Sequence, residues 1–416
     1  MISPSQDYDA YFHKSEAINF SVLQINIYIL KDTDVHMVRI IDASITRFGK
    51  RQEDLISLGA EASFGPVRKF RDVIDTVIVS NSYSGEYCGI SGINNLLTTR
   101  LSIDSVPSIR IDNTSGSGGS SILMAKNMIE SGSSKCILVV GVEKMTGVSG
   151  VKSTSIIASL LHQEERNSGS TLPSLAGLMA KTYMRRYGAT RESLAQVSVK
   201  NHYNGGMNEY AHFQKEVSIS EVMDSRKIAD PLCIYDFCPV SDGAASIVIA
   251  DRETSETVSG KSVEILGCSH SSDTSAITSR EDITRLKAVE KSVENAYRQS
   301  GSGPDGMDFA ELHDMSTILE IVESEATGFF KRGEGWKSLE NGLTTLHGTI
   351  PINTSGGLIS KGHPIGATGV AQAAEAFLQL TGNAKGRQLR NPERGLAVNM
   401  AGFGNSSTAT VFGVVQ

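Results

Sequence analysis

From Val38 onward the chain alternates short apolar runs with segments of helical periodicity. Val38 to Ile45, Thr76 to Ser80, Ser108 to Ile111 and Cys136 to Val142 read as strands, and Gly118 to Ser131 is the clearest helix between them. Such alternation predicts an α/β fold around a largely parallel, buried sheet. A second series begins at Ser262 to Leu266. It continues through an amphipathic helix from Ile283 to Tyr297, apolar at Ile283, Leu286, Val289, Val293 and Tyr297, and ends in strands Gly395 to Val398 and Thr408 to Val415.

The two series share a glycine pattern: Gly116, Gly119 and Gly132 recur as Gly366, Gly369 and Gly382, at one offset of 250, and the outer glycines bracket a helix each time. The spacing points to an internal repeat. Residues 147 to 235, Ser-rich and then helical, lack the alternation and read as an inserted lobe of the kind that often carries substrate contacts. The expected organisation is an N-terminal extension over residues 1–36, a first half over 37–260 that includes the lobe, and a second half over 261–416. Within the extension a strand-like run, Ile25 to Leu30, precedes an apparent fresh start at Met37-Val38-Arg39-Ile40-Ile41. An extra edge strand and a true start at Met37 both fit.

The chain has 416 residues, 39% hydrophobic and 20% charged, enough for two core-forming units. Its net charge of -7, from 39 basic and 46 acidic residues, is opposite to what nucleic acid or an anionic membrane attracts. The five cysteines (Cys88, Cys136, Cys233, Cys238, Cys268) are odd in number and scattered, without CxxC or Cys/His spacing. They argue for reduced thiols in the cytoplasm and against a disulfide frame or a metal site. No apolar run approaches the roughly 18 residues of a membrane span, and Asp7, Asp9 and Glu16 stand where a secretion signal avoids acid.

The most informative segment runs from Asn353 to Gly369, NTSGGLISKGHPIGATG, directly before a helical run from Val370 to Leu380. So many glycines before a helix allow close approach of backbone, and free N–H groups at a helix start favour negative charge. A lone histidine is more often structural than catalytic. His363, held between Gly362 and Pro364 at this junction, is better placed for function.

Gly362-His363-Pro364 with Gly366-Ala367-Thr368-Gly369 resembles the signature of thiolases. The likeness extends through GVEKM at 141–145, SDGAA at 241–245 and ELHD at 311–314, and ELHD with GEGW at 333–336 is most similar to the branch of archaeal and sterol-carrier-protein-X thiolases. The resemblance implies two similar βαβαβαββ halves in a five-layered αβαβα arrangement with a loop lobe, a coenzyme A thioester as substrate or ligand and no permanently bound cofactor. It implies a homodimer or a dimer of dimers, with a small zinc-binding acyl-CoA protein as a candidate partner.

By the same resemblance the nucleophile position, a cysteine in a CASGG-like pattern, reads Ser115. The second cysteine, which follows His-Asp in this branch, reads Met315; the other family option, a CxGG-like motif, reads Asn399-Met400-Ala401-Gly402. His363 and His313 are expected to hold the thioester oxygen, and the backbone N–H groups of Ser115 and of Ala401 or Gly402 a second oxyanion. Cys238, Ser355 and Gly356 are expected at the substrate. A cysteine at a helix start can be drawn down from about 8.5 to a thiolate, which a serine hydroxyl cannot. Serine needs a general base, and its acyl ester is more stable than the thioester, so return of the acyl group to CoA is uphill. Methionine has no proton to exchange. Replacement acids or bases could come from Glu86, Tyr87, Cys88, Asp314 or Cys238, each with an ordinary structural reading beside it.

Three functions remain open on the sequence. One is aldolase-like chemistry at the C–C bond of a CoA thioester without covalent catalysis; another is acetyl-CoA acetyltransferase activity through Ser115. The third is a non-catalytic acyl-CoA-binding or scaffold subunit of a thiolase complex. Fold cannot choose among them.

Overall fold

The computed structural model describes residues 37–258 and 260–415. The expected strand at 25–30 and the question of a start at Met37 lie outside them. In the first half, strand β1 (Val38–Ile45), helix α1 (Leu55–Phe70), β2 (Thr76–Ser80), α2 (Ile93–Arg100), β3 (Ser108–Ile111), α3 (Ser117–Glu130) and β4 (Cys136–Glu143) follow in order. The lobe contributes α4 (Gly150–Ala158), α5 (Leu172–Tyr187) and α6 (Arg191–Gly206), plus a small hairpin of Lys227–Ala229 with Leu232–Cys233. β5 (Gly243–Asp251) closes the half. The second half runs β6 (Val263–Ser272), α7 (Lys287–Ser300), β7 (Phe309–Glu311), α8 (Thr317–Ala326), α9 (Thr368–Thr381), β8 (Arg394–Ala401) and β9 (Ser406–Val414). None of the described helices is long and apolar enough to cross a membrane.

The strands form one nine-stranded sheet in the order β3-β2-β4-β5-β1-β6-β9-β8-β7. Its two ends repeat each other. In the first half β3, β2 and β4 are parallel, while β5 runs antiparallel to both its neighbours, β4 and β1. In the second, β7 and β8 are parallel and β9 and β6 antiparallel, with a single parallel bridge from Ala310 to Ile352 standing where β3 would be. The sheet is thus mixed, not largely parallel. A parallel return needs a crossover to the opposite end of the sheet; β8 instead turns straight into β9 through Gly402–Asn405, and the lobe brings the chain back to the end of β4 it left.

Helices fill three layers. α1 and α2 cover the outer face of the first half through Leu55, Leu58, Leu97 and their neighbours, and α7 and α8 cover the second half together with the lobe. α3 and α9 lie between, touching strands of both halves. α9 is buried on almost every side, and the polar stripe it buries is partnered: Gln372 donates to the Val398 carbonyl at 3.0 Å and Glu375 pairs with Arg387 at 2.8 Å. The glycines explain how closely the central pair packs: a Cβ on the repeated Gly369 would sit 2.6 Å from the N of its counterpart Gly119, and one on the neighbouring Gly118 2.6 Å from the Cα of Gly369. The second-half helix begins at Lys287 rather than Ile283. Its first expected apolar positions belong to the approach; Leu286 is its N-cap and still packs into the core.

Candidate active site

The start of α3 carries Ser115. The preceding Thr114 is held at φ 47, a left-handed conformation costly for a β-branched residue. It is fixed by the Asp112 carboxylate, which accepts from Thr114 N at 3.0 Å, and by Ser117 Oγ, which donates to the Thr114 carbonyl at 2.6 Å. The tight turn presses Ser115 toward β8, where its carbonyl accepts from Asn399 Nδ2 at 3.0 Å. Among the described residues no side chain hydrogen-bonds the Ser115 hydroxyl.

His363 follows Gly362, whose φ of +107 only glycine adopts without strain. Upstream, residues 357–361 form one wide helical turn, and the Asp314 carboxylate accepts from Leu358 N at 2.7 Å and Ile359 N at 3.3 Å within it. Downstream, Gly366 N donates to Glu143 at 3.0 Å and Ser80 Oγ to the Gly366 carbonyl at 2.6 Å, tying the segment to the first half. The imidazole Nδ1 of His363 lies 2.7 Å from Thr368 Oγ1. The same hydroxyl donates to the Pro364 carbonyl at 3.0 Å; with its one hydrogen spent there it accepts from Nδ1–H, which leaves Nε2 of His363 as a free acceptor. Burial pushes His363 down to about 3, so the ring is neutral at ordinary pH.

His313, fully buried, meets His363 edge to face with ring centroids 5.0 Å apart. Burial, and then the neighbouring imidazole, hold it well below the usual histidine range. Its Nδ1 is 3.2 Å from Asn399 Nδ2, while its Nε2 has no hydrogen-bond partner. A buried donor without a partner is costly and marks a place prepared for an acceptor.

Ser115, Met315, His363, Cys238 and Gly402 all line one cavity of about 650 Å³, formed between the lobe and the ends of the strands; His313, packed against His363, is not among its lining residues. Its wall is mostly apolar, with Leu160, Leu172, Ala176 and Phe237 from the lobe side and Ile365 near His363. Lys215 and Arg226, both exposed, supply two cations to the lining. Cys238 is a thiol here, pushed up to about 12 by burial and by Asp314.

Other expected residues stand elsewhere. Ser355 and Gly356 do not line the cavity. Ser355 bonds the buried Glu311 of β7 through its hydroxyl and its N–H, and a Cβ on Gly356 would lie 2.8 Å from Gly205 Cα, so the first ties the glycine-rich segment to β7 and the second packs it on α6. Asp314 is spent on the 357–361 turn and on Asn201, with burial and Glu320 pushing it well above the usual carboxylate range. Glu86 is exposed; Tyr87 bonds Ser153 Oγ at 2.8 Å behind Ile365, and Cys88 faces the Lys144 carbonyl. Ala401 is in ladder with Ser406, and it is the next residue, Gly402, that reaches the cavity. Sequence reasoning passed over Asn399, Lys215, Arg226 and His202. Asn399 lay in a motif read only for its missing cysteine, and His202, a cavity residue whose Nδ1 is buried without a partner, is an ordinary histidine on a helix until α6 is placed.

The thiolase N-terminal domain matches residues 38–253, and the thiolase C-terminal domain-like family residues 269–414. An acetyl-CoA acetyltransferase of Methanothermobacter thermautotrophicus is 36% identical over 384 residues, covering 90% of this chain and 99% of that protein. Sterol carrier protein 2 of Bos taurus is 35% identical over 327 residues, or 75% of this chain and 60% of its own. Among solved structures, the Ltp2-ChsH2(DUF35) aldolase superposes with a TM-score of 0.79 at 22% identity, over 91% of this chain and 98% of that one. That likeness is one of fold. With both repeated halves matched, and a relative more than a third identical over nearly its whole length, the chain belongs to the thiolase family.

Proposed function

We propose that this thiolase-family, acyltransferase-like protein binds an acyl-CoA thioester and makes or breaks its Cα–Cβ bond, as an aldolase does, without a cysteine nucleophile. The observation that carries the reading is the unpartnered, buried Nε2 of His313 set against His363. The neutral imidazole of His313, with its proton on Nε2, is suited to donate to a thioester oxygen as it gains charge, and the free Nε2 of His363 is suited to accept a proton beside it. In a retro-aldol cleavage the β-hydroxyl gives its proton to Nε2 of His363, the Cα–Cβ bond breaks, and the electron pair of that bond enters the thioester as an enolate. The enolate then takes a proton at Cα, releasing a carbonyl compound and a shortened acyl-CoA. Preorganised donors at the enolate oxygen are worth on the order of 100-fold or more each.

Covalent transfer through Ser115 is disfavoured because no described side chain hydrogen-bonds its hydroxyl, and Met315 closes the second proton-transfer position. Lys215 and Arg226 suit the phosphates of coenzyme A, and the apolar lobe wall suits an acyl group. An aldolase among the structural neighbours is in keeping with the reading. The five free thiols fit a reducing compartment, and we place the protein in the cytoplasm. We also propose a homodimer or dimer of dimers, in keeping with the edge position of β3 and the exposed Leu96, Ile109 and Met124 around it. A small zinc-binding acyl-CoA protein is the proposed further partner.

The test is incubation with 3-hydroxyacyl-CoA esters, and separately with 3-oxoacyl-CoA plus CoA, followed by product analysis and intact-protein mass spectrometry. Cleavage of the hydroxy esters with no adduct on the protein is expected. An acyl adduct on Ser115 with thiolysis near 10 per second, a typical enzyme turnover, would overturn the proposal. Ligand-raised melting without any product would make the protein a binding subunit instead.

A further inference from the structure

Asn399, on β8 and only 3% exposed, is joined to three groups at once. Its Oδ1 accepts from Gly119 N at 2.8 Å, and its Nδ2 donates to the Ser115 carbonyl at 3.0 Å. These partners fix which end of the amide is which, since a backbone N–H can only donate and a carbonyl can only accept. The second hydrogen of Nδ2 is then directed at His313 Nδ1, 3.2 Å away. A nitrogen that accepts cannot carry the ring proton. In the neutral imidazole the proton must therefore sit on Nε2, the atom that has no partner.

We propose that Asn399 is a positioning residue that selects the tautomer of His313, keeping Nε2–H as an unpaired donor beside His363. The fold makes room for this. A Cβ on Gly119 would come within 3.2 Å of Asn399 Cβ and Oδ1, and one on Gly369 would lie 2.6 Å from Gly119 N and closer still to Asn399 Oδ1. The repeated glycine pair, one from each half, thus clears the slot through which the amide reaches the start of α3 and His313 together. One side chain links the backbone of Ser115 in the first half to the imidazole in the second, so the proton on His313 and the placement of Ser115 are set by the same group. The use of that proton on a thioester oxygen rests on the function proposed above; the tautomer assignment does not.

The experiment is Asn399→Asp, which keeps the shape of the amide and replaces its donor with an acceptor. Protein labelled with 15N in histidine, with His313 assigned by comparison with His313→Gln, reports the tautomer through long-range proton–nitrogen correlations. Wild type should show His313 protonated at Nε2, and N399D should shift it to Nδ1. Any turnover found should fall 100-fold or more in N399D, with the melting shift given by acyl-CoA within about a degree of wild type, as expected when a donor acts on the transition state. A wild-type His313 protonated at Nδ1, or an Nε2–H tautomer that persists in N399D, overturns the proposal. If N399D does not fold, Asn399→Ala is read in its place, and a pure Nε2–H tautomer there overturns it equally. A flipped tautomer in a protein with no aldolase activity would uphold Asn399 and sink the proposed reaction alone.

Discussion

Gly118→Ala is the sharpest test of the central helix pair. Its new Cβ would lie 2.6 Å from Gly369 Cα, 2.7 Å from Val370 N and 2.8 Å from Gly369 N. All three atoms are backbone, so no side chain can turn aside. Reaching an ordinary 3.4 Å from the first requires α3 and α9 to part by about 0.8 Å. Overpacking of this kind costs about 1–3 kcal/mol, occasionally more. At roughly 2.1 cal/mol/K per residue, about 380 folded residues have an unfolding entropy near 0.8 kcal/mol/K, so 3 kcal/mol corresponds to a fall of about 4 °C. The same displacement moves Ser115, at the start of α3, from His363, just before α9, and a misplacement near 1 Å can cost about 100-fold in rate. Differential scanning calorimetry and turnover on the same sample would measure both. Gly206→Ala is the control: it ends α6 with nothing within 4 Å of the new Cβ, and should leave the melting point unchanged or raise it slightly. A Gly118→Ala protein that melts within 0.5 °C of wild type and works as well, by the same ~0.8 kcal/mol/K scale, would show that α3 and α9 are not in this contact.

Ser115→Cys should become acylated by acyl-CoA, visible by intact mass, because a thiol at the start of α3 ionises where a hydroxyl does not. Full thiolysis should still be missing while Met315 is in place, and its appearance in the single variant would refute the role given to that position. His363→Ala should lower turnover 100-fold or more with a small change in melting; a protein several degrees less stable, with unchanged activity per folded molecule, would make His363 structural. Because burial lowers His363 to about 3 and holds His313 well below its usual range, the unfolded chain binds more protons than the native one below about pH 6.5. Their contribution to stability is whole above that pH and is lost as pH falls toward 3, so His363→Gln should flatten the acid side of the stability curve; an unaltered slope would count against a neutral, buried ring. Saturation with acyl-CoA at 100 times its dissociation constant should add about 2.7 kcal/mol, or near 3 °C on the same scale. No shift with any acyl-CoA at millimolar concentration would remove the ligand from the proposal.

Much of this protein is legible along the chain, because it is written in local periodicity and short motifs. The strand runs at Val38, Thr76 and Cys136, the helix after Gly116 and its copy after Gly366 all follow from spacing that a nearest-neighbour pattern preserves. The motif around His363 carried the family, and Ser115, Met315, His363, Cys238 and Gly402 do share one cavity. What the sequence could not decide is which polar residues face that cavity and which are used up beneath it. Ser355, Asp314 and Glu311 look as chemical as His363 in one dimension; only the folding of the glycine-rich segment turns Ser355 to Glu311 and Asp314 to the N–H groups of Leu358 and Ile359, away from the cavity that His363 lines. The antiparallel course of β5 and β9 was equally hidden, since strand direction depends on where a connection returns, and a run of apolar residues reads the same both ways. Asn399 shows the limit most plainly. Its partners, Gly119, Ser115 and His313, lie 280, 284 and 86 residues away in the chain. An amide acquires a donor end and an acceptor end only when folding places fixed donors and acceptors around it.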